Sequence, residues 1–437
     1  MANPYLTTVA LFAALGALAA VDAALASLGL TPFLLGLRWL RIHLVTLGLF
    51  TEAVFGLLPC LMSRAAGRPL PAPHRGRWLL LNVGLVTLLV GIPLVRAPMI
   101  AVGGTIVLIA TLWLAVDLWR IGGGRSVSPS PAAGGDPAPG LAAAGFATGR
   151  PFYLAGLTLL LVGALVGTGL WLEWGPALGI ARPKETHIHA NLWGFASLVL
   201  AGLLVDLHGA LRGGRAPDRS RSLRAAWWLM TGGALALVVA PWVAMDWLMV
   251  LGIAMYAAAT ALLYATLVWP LRPGAVSAAG SAPDRRPWAG SAHLLTAYLW
   301  ILVPALALPF IVFGGASVPA ARVEPVGPSI LSYGWLLQTL VALLPPAIAL
   351  AAGADAGGSL GAGSASGSDG RPDASEAPTR PLRLGGSPLS WAALNLCTLA
   401  LVASVALPAQ EAALQGLAFG LLAVALLWLA RNLLPER

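Results

Sequence analysis

Three histidines stand at the starts of two apolar segments, where their side chains could bind a metal or a haem. His43 precedes one segment, and His187 and His189 open another, THIHANLWGFASLVLAGLLVDLH (residues 186–208), which also carries Asn191. Lipid offers polar side chains no partners, so such residues at the mouth of a membrane helix require a reason. Imidazole binds haem iron and copper in many proteins. The ordinary alternative is an interfacial histidine without a ligand.

The composition places these histidines in a membrane protein. Hydrophobic residues make up 58% of the 437-residue chain and charged residues only 10%, whereas soluble proteins carry about 25% charged residues. The first apolar run is followed by many others, so we expect a membrane helix there and not a cleaved signal peptide. Cys60 and Cys397 are too few and too distant for a disulfide framework or a CxxC metal site, and we expect both to serve packing.

Twelve apolar segments are long enough to span a bilayer. The sequence therefore predicts an all-α polytopic membrane protein with about 12 transmembrane helices, in contact with the lipid bilayer. The approximate limits of the segments are 6–29, 38–62, 77–96, 98–119, 152–173, 187–208, 225–245, 247–270, 291–313, 329–351, 389–408 and 411–430.

The distribution of basic residues predicts the orientation of these helices. With both termini in the cytoplasm, all but six of the 26 Lys and Arg residues lie on the cytoplasmic side, as the positive-inside rule requires. The net charge of +9 is then a consequence of topology, so nucleic acid is not an expected partner. We expect a multi-pass protein of the cytoplasmic (inner) membrane of a prokaryote. The six basic residues predicted outside are Arg38, Arg41, Arg96, Arg182, Lys184 and Arg322.

Two segments rich in Gly, Ala, Ser, Pro and Asp divide the chain. Residues 121–150 and 352–388 cannot bury enough apolar surface to offset ordering, and we predict that both are flexible cytoplasmic loops. A further cut at the basic loop near residue 271 gives three blocks of four helices. The predicted blocks are 1–120, 151–270, and a third made of 271–351 and the last two helices in 389–437.

The second helix of each block carries a related pattern. The three read His43-LVTL-Gly48-LFTEAVF-Gly56, His189-ANLW-Gly194-FASLVLA-Gly202 and Ser329-ILSY-Gly334-WLLQTLV-Ala342. Small residues eight apart lie close to one helix face, where a neighbouring helix or a flat ligand can approach. Residues two apart, such as His187 and His189, point in different directions on a helix. We favour His189 as the partner of His43 because it occupies the matching position of the repeat.

Three other polar residues are candidates for a role. Arg38 and Arg41 precede His43 and either pair with haem propionates or anchor the helix at the interface. Glu52 lies in the middle of its predicted helix, where a lone carboxylate is costly. It is either a proton-relay group or a hydrogen-bonded core residue, with Gln338 as a possible partner.

The architecture resembles the catalytic subunit of the haem–copper oxidases and nitric oxide reductases. The likeness rests on twelve helices, three blocks and histidines near the outer end of second helices. In that superfamily the second-helix histidine binds the low-spin haem, a position that His43 matches, and the sixth-helix histidine binds copper, a position that His189 matches with His187 adjacent. The segment His187-x-His189-ANLW-Gly194-Phe195 is also similar to the HxHxxxxGF pattern of the NnrS family, haem- and copper-binding membrane proteins linked to the nitric oxide response.

The chain departs from the superfamily in its ligands. The tenth helix has Ser329 at the repeat position and no histidine, and residues 225–246 lack the histidine pair of the seventh helix. The resemblance therefore implies a degenerate member with haem as its cofactor and copper as a second candidate, held by His43, His189 or His187. We expect a redox, nitric-oxide or gas-handling role in electron transport and no dioxygen reduction by the superfamily mechanism.

The same resemblance indicates the general class of partner and of reaction. Other respiratory membrane subunits or an electron donor are the expected partners. If the chain is an enzyme, it is an oxidoreductase, and no residue is assigned as catalytic.

Two other functions fit the same residues. The loss of ligands would suit a cofactor-free structural subunit of a respiratory membrane complex. A membrane transporter could use Glu52 and a tenth helix kinked at Pro345-Pro346 to line its path. Transporters usually contain two repeats, often inverted, so three blocks of the same orientation count against this reading.

Overall fold

The computed structural model describes residues 3–34, 37–123, 148–212, 220–272, 290–307, 318–352 and 386–434. These residues are predominantly helical and include no β-strand. By length and composition, 11 of the helices in them could cross a membrane. The prediction of an all-α polytopic membrane protein is therefore confirmed.

Twelve long helices, labelled α1 to α12, follow one another through the described ranges. They are α1 (Pro4–Ser27), α2 (Arg38–Ala65), α3 (Arg75–Gly91), α4 (Ala97–Gly123), α5 (Arg150–Trp171), α6 (Pro183–Gly209), α7 (Ser220–Trp242), α8 (Asp246–Leu271), α9 (Gly290–Ala307), α10 (Val318–Ile330, continuing through Ala351), α11 (Pro388–Ala406) and α12 (Glu411–Leu433).

The predicted spans correspond to these helices with shifts at some ends. α3 has 17 residues, so it alone among the twelve falls short of the length of a candidate span. α10 begins at Val318, earlier than the predicted start at residue 329. Most of the predicted loops 121–150 and 352–388, and the basic loop after residue 271, lie outside the described residues.

α2, α6 and α10 form the centre of the bundle. They are the most buried of the candidate spans and pack against one another. The other nine helices surround them in the order α1, α3, α4, α5, α7, α8, α9, α11 and α12, each in contact with the next, and α12 packs on α1 to close the ring. The helices that carry the repeated pattern are therefore the three that the remaining helices enclose.

The three central helices share a backbone irregularity. Each contains a seven-residue π-helical segment: Leu44–Phe50 in α2, Ala190–Ala196 in α6 and Leu331–Leu337 in α10. Short π-helical segments are rare and frequently occur at functional sites. The first segment directly follows His43 and the second directly follows His189, so the irregularity recurs at matching positions and favours the repeat predicted from the sequence.

The repeated glycines admit neighbouring side chains. A methyl group at Gly48 would come within 2.5 Å of Phe12 Cδ1, and one at Gly194 within 2.7 Å of Leu159 Cδ1. Phe12 lies on α1 and Leu159 on α5, the first helices of the two blocks. A neighbouring helix and a flat ligand were the two partners expected at these glycines. A neighbouring helix is present at both, and neither glycine lines a ligand cavity.

Candidate functional site

A cavity of about 320 Å³ lies between α2, α4, α5 and α6, with α3 at its edge. Its volume falls within the range of small-molecule sites, about 300–1,000 Å³. Most of its walls are aliphatic, with Leu88, Val107 and Leu160 among them. The polar and charged side chains in the wall include Arg38, His43, Thr46, Thr51, Thr168, Lys184, His187 and Asn191.

His43 from α2 and His187 from α6 lie close together in this cavity. Their ring centroids are 6.2 Å apart and their ring planes differ by 15°. Bonds from a metal to imidazole nitrogen are about 2.0–2.1 Å long, and the ring centre lies roughly 1 Å behind the nitrogen, so two imidazoles on opposite sides of one metal have centroids about 6 Å apart. The observed centroid separation of 6.2 Å is compatible with such a pair.

Backbone carbonyl groups fix both imidazoles through the same ring atom. His43 Nδ1 lies 2.8 Å from the carbonyl oxygen of Trp39, and His187 Nδ1 lies 2.8 Å from that of Gly163. A carbonyl oxygen only accepts, so each Nδ1 donates and each Nε2 keeps its lone pair. Histidines that bind metals are commonly oriented in this way.

The sequence makes room for His187 on α5. A side chain at Gly167 would overlap the His187 ring, and one at Gly163 would overlap the amide of Asn191. Asn191 Nδ2 donates to the carbonyl oxygen of His187 at 2.8 Å and lies 3.2 Å from His187 Nδ1. Gly163 and Gly167 form a Gly-x-x-x-Gly pattern, a sequence signal for close approach that our sequence reasoning did not use.

His189, the partner favoured from the repeat, faces a different neighbour. It is buried, does not line the cavity, and its Nδ1 donates to the carbonyl oxygen of Leu237 on α7 at 2.6 Å. Pro241 has no N–H, so the helix leaves the Leu237 carbonyl without its usual donor four residues later. His189 supplies that donor. Residues related by a rotational repeat face equivalent clefts between helices and do not meet in one cleft. The observed geometry therefore pairs His43 with His187.

The two arginines ahead of His43 occupy different surroundings. Arg38 lines the cavity and is exposed, and the same is true of Lys184 from α6. Arg41 is buried, and its Cζ lies 3.8 Å from the ring centroid of Phe419 on α12. Arg38 can therefore meet an anionic group of a ligand in the cavity, together with Lys184, whereas Arg41 packs inside the bundle.

Glu52 is fully buried beside the cavity but does not line it; its neighbour Thr51 does. Neither Glu52 oxygen accepts a hydrogen bond of standard geometry from the described residues. No hydrogen bond joins Gln338 to Glu52, and the Gln338 amide donates to the Thr296 hydroxyl instead. Glu52 as a proton-relay group stays a prediction.

The donor set fits a haem better than a bare metal ion. In the described part of the chain, no three residues among His, Cys, Asp and Glu are grouped so that they could hold a metal. Protein sites for a bare ion use three or four protein ligands. A haem iron already has four nitrogens from its macrocycle and needs only axial ligands, which two histidines can provide. Copper, named above as a second cofactor, stays a prediction.

No family model, no curated protein and no solved structure matches this chain. The likeness to the haem–copper oxidases and to the NnrS family rests on the residues and the architecture described above.

Proposed function

We propose that this chain is an integral membrane haem protein in which His43 and His187 would hold one haem. The observation that carries the proposal is the histidine pair: two imidazoles with centroids 6.2 Å apart, each with Nδ1 bonded to a backbone carbonyl. His189 is assigned a structural role at Pro241, because its Nδ1 already bonds to Leu237.

The other residues of the cavity would bind and orient the same group. Trp39 stacks on the His43 ring with centroids 4.4 Å apart and limits its rotation. Arg38 and Lys184 would hold the two carboxylates of the haem through charge-assisted hydrogen bonds. The aliphatic walls would exclude water. When bound, a haem supplies one-electron redox chemistry and a binding position for small gases.

The role that we assign to this site is redox or nitric-oxide and gas handling in the cytoplasmic membrane of a prokaryote. The protein would resemble a degenerate oxidase subunit I, or an NnrS protein, with both termini in the cytoplasm and the cavity in the outer half of the membrane. Full dioxygen reduction is not part of the proposal, since α10 has Ser329 and no histidine among its residues. Any turnover would be that of an oxidoreductase with an electron donor or respiratory subunits as partners.

The test compares haem retention in two variants, each changed at the same position of the repeated pattern. His43→Ala removes a ligand, and we expect at least a tenfold fall in haem per folded chain after purification in detergent. Ser329→Ala changes the corresponding residue of α10, and we expect wild-type haem content. Equal haem content in both variants would contradict the assignment of His43. A folded wild-type chain without haem would instead favour the cofactor-free structural subunit or the transporter.

A further inference from the structure

We infer that the buried Arg41 guanidinium holds a small monovalent inorganic anion of the halide type, between α2, α10, α11 and α12. The residues of this site do not line the cavity in front of His43. The inference therefore goes beyond the proposed function and does not depend on a haem. It is carried by a buried positive charge and a buried hydroxyl that meet without an acceptor.

Arg41 carries a charge that the side chains around it do not balance. It is 6% exposed, and its Cζ lies 3.8 Å from the ring centroid of Phe419 on α12. Within the described residues, its Nε donates to no acceptor and no carboxylate forms an ion pair with it. An aromatic ring attracts a cation but is no counter-ion. A buried carboxyl group can become neutral by binding a proton, whereas a guanidinium keeps its charge.

The Tyr333 hydroxyl of α10 faces the same guanidinium. Tyr333 is fully buried, and in the described part of the chain its hydroxyl makes no hydrogen bond of standard geometry. A guanidinium nitrogen only donates, so Arg41 cannot accept the hydroxyl proton. The thiol of Cys397 on α11, which is also fully buried, lies near both groups and is a weak donor. The three groups each have a hydrogen to donate, and an anion can accept from all three.

A second buried arginine shows what is missing beside Arg41. Arg77 on α3 is 4% exposed, its Nε donates to the Tyr5 hydroxyl at 3.4 Å, and its Nη1 forms an ion pair with Asp117 on α4. The Tyr5 hydroxyl in turn donates to the carbonyl oxygen of His74 at 3.3 Å. An arginine thus meets a tyrosine at both places, but at Arg77 the chain itself supplies the negative charge. A bound anion would occupy at Arg41 the place that Asp117 occupies at Arg77.

The charge and the enclosure of the site indicate the class of anion. One guanidinium balances one negative charge, and each further charge adds to the cost of burial, so sulfate and phosphate fit less well than a halide. Tyr333 and Cys397 are fully buried and Arg41 nearly so, which favours a small ion over an organic acid. Chloride meets both conditions.

The experiment measures thermal unfolding of the full chain in detergent while sodium gluconate is replaced by sodium chloride or bromide at constant ionic strength. An anion that binds only the folded chain raises the unfolding midpoint by mass action, and we expect a saturating rise of about 2–4 °C. Arg41→Gln should abolish this rise. Arg182→Gln is the control and should keep it, because Arg182 is already paired with Asp246 at 2.7 Å.

A second pair of variants keeps the test decisive if Arg41→Gln does not fold. Tyr333→Phe keeps the charge and removes one donor, so the halide concentration for half of the effect should rise about tenfold, since hydrogen bonds to charged groups are the stronger ones. Tyr256→Phe is its control, because the Tyr256 hydroxyl already donates to the Trp193 carbonyl at 2.9 Å. Its half-effect concentration should equal that of wild type.

Three results would overturn the inference. The first is a wild-type midpoint that is equal in chloride and in gluconate. The second is an Arg41→Gln protein that keeps the full response to halide. The third is an unchanged half-effect concentration in Tyr333→Phe. A folded chain that binds no haem but responds to halide through Arg41 would contradict the proposed function alone, so the two proposals fail separately.

Discussion

The clefts in front of His43 and His189 occupy matching positions in the repeat, yet one is open and the other is closed. His43 faces a cavity whose wall contains small residues, including Gly104, Ala164 and Gly167. Beside His189, Trp193 and Tyr256 pack edge to face with centroids 4.7 Å apart, and the Tyr256 hydroxyl donates to the Trp193 carbonyl at 2.9 Å. The side chains around a repeated residue, and not the repeat itself, decide whether it can meet a ligand.

The same comparison separates two histidines of one helix by the neighbours that they face. His187 points towards α5 and the cavity, whereas His189 points towards α7 and the carbonyl left free by Pro241. A histidine that donates to a carbonyl left free by a proline satisfies a backbone group that would otherwise be buried without a partner. The difference predicts that the two side chains affect different measurements.

The largest expected effect comes from exchanging these two histidines for alanine. His187→Ala should change the visible spectrum from that of a two-histidine haem to that of a single-histidine haem. His189→Ala should leave the spectrum unchanged and lower the free energy of unfolding by about 1–3 kcal/mol, because the Leu237 carbonyl loses its donor. Absorption spectra and thermal unfolding of the two variants in detergent check this. The reverse pattern would show that the repeat, and not the observed pair, identifies the ligand.

A smaller effect is expected from filling the space that α5 leaves for the His187 ring. Gly167→Ala should weaken haem binding by roughly tenfold, since overpacking at a tight contact typically costs about 1–3 kcal/mol. Gly420→Ala is the matched control, because Gly420 lies in α12 with no atom near enough to meet a methyl group. Haem dissociation rates, measured by transfer to an excess of a competing haem-binding protein, compare the two. Equal rates would mean that the His187 ring does not depend on Gly167.

The smallest effect is expected from the two arginines ahead of His43. Arg38→Gln should lower haem retention about two- to fivefold, as an exposed ionic contact contributes only about 0.2–1 kcal/mol, and high salt should reduce the difference. Arg41→Gln should lower thermal stability instead, because its guanidinium packs on Phe419 inside the bundle. A fall in haem retention in Arg41→Gln but not in Arg38→Gln would contradict the placement of the haem carboxylates at the cavity mouth.

The fold could be predicted from the sequence because lipid restricts the choice of structure. Long apolar segments must be helical in a bilayer, so their number and approximate limits follow from hydropathy alone. The repeat stays a prediction. The pattern behind it is visible in the sequence, since His43 and His189 stand at the same distance from Gly48 and Gly194, and each directly precedes a π-helical segment.

The proposed ligand pair could not be predicted in the same way. The choice between His187 and His189 depends on which neighbouring helix each side chain faces, and a pattern along one helix does not contain that information. Two signals in other helices decide it: Gly163 and Gly167 make room on α5, and Pro241 leaves a carbonyl free on α7. The same limit applies to Arg41, whose partner Phe419 is on the last helix of the bundle.

The most direct test of the haem site is a reduced-minus-oxidised visible spectrum of the wild-type protein purified in detergent, with iron analysis of the same sample. We predict sharp haem bands of a two-histidine type and one iron per chain. A folded protein that is colourless and free of iron would contradict the account, and would leave the His43–His187 pair as part of a cofactor-free membrane scaffold.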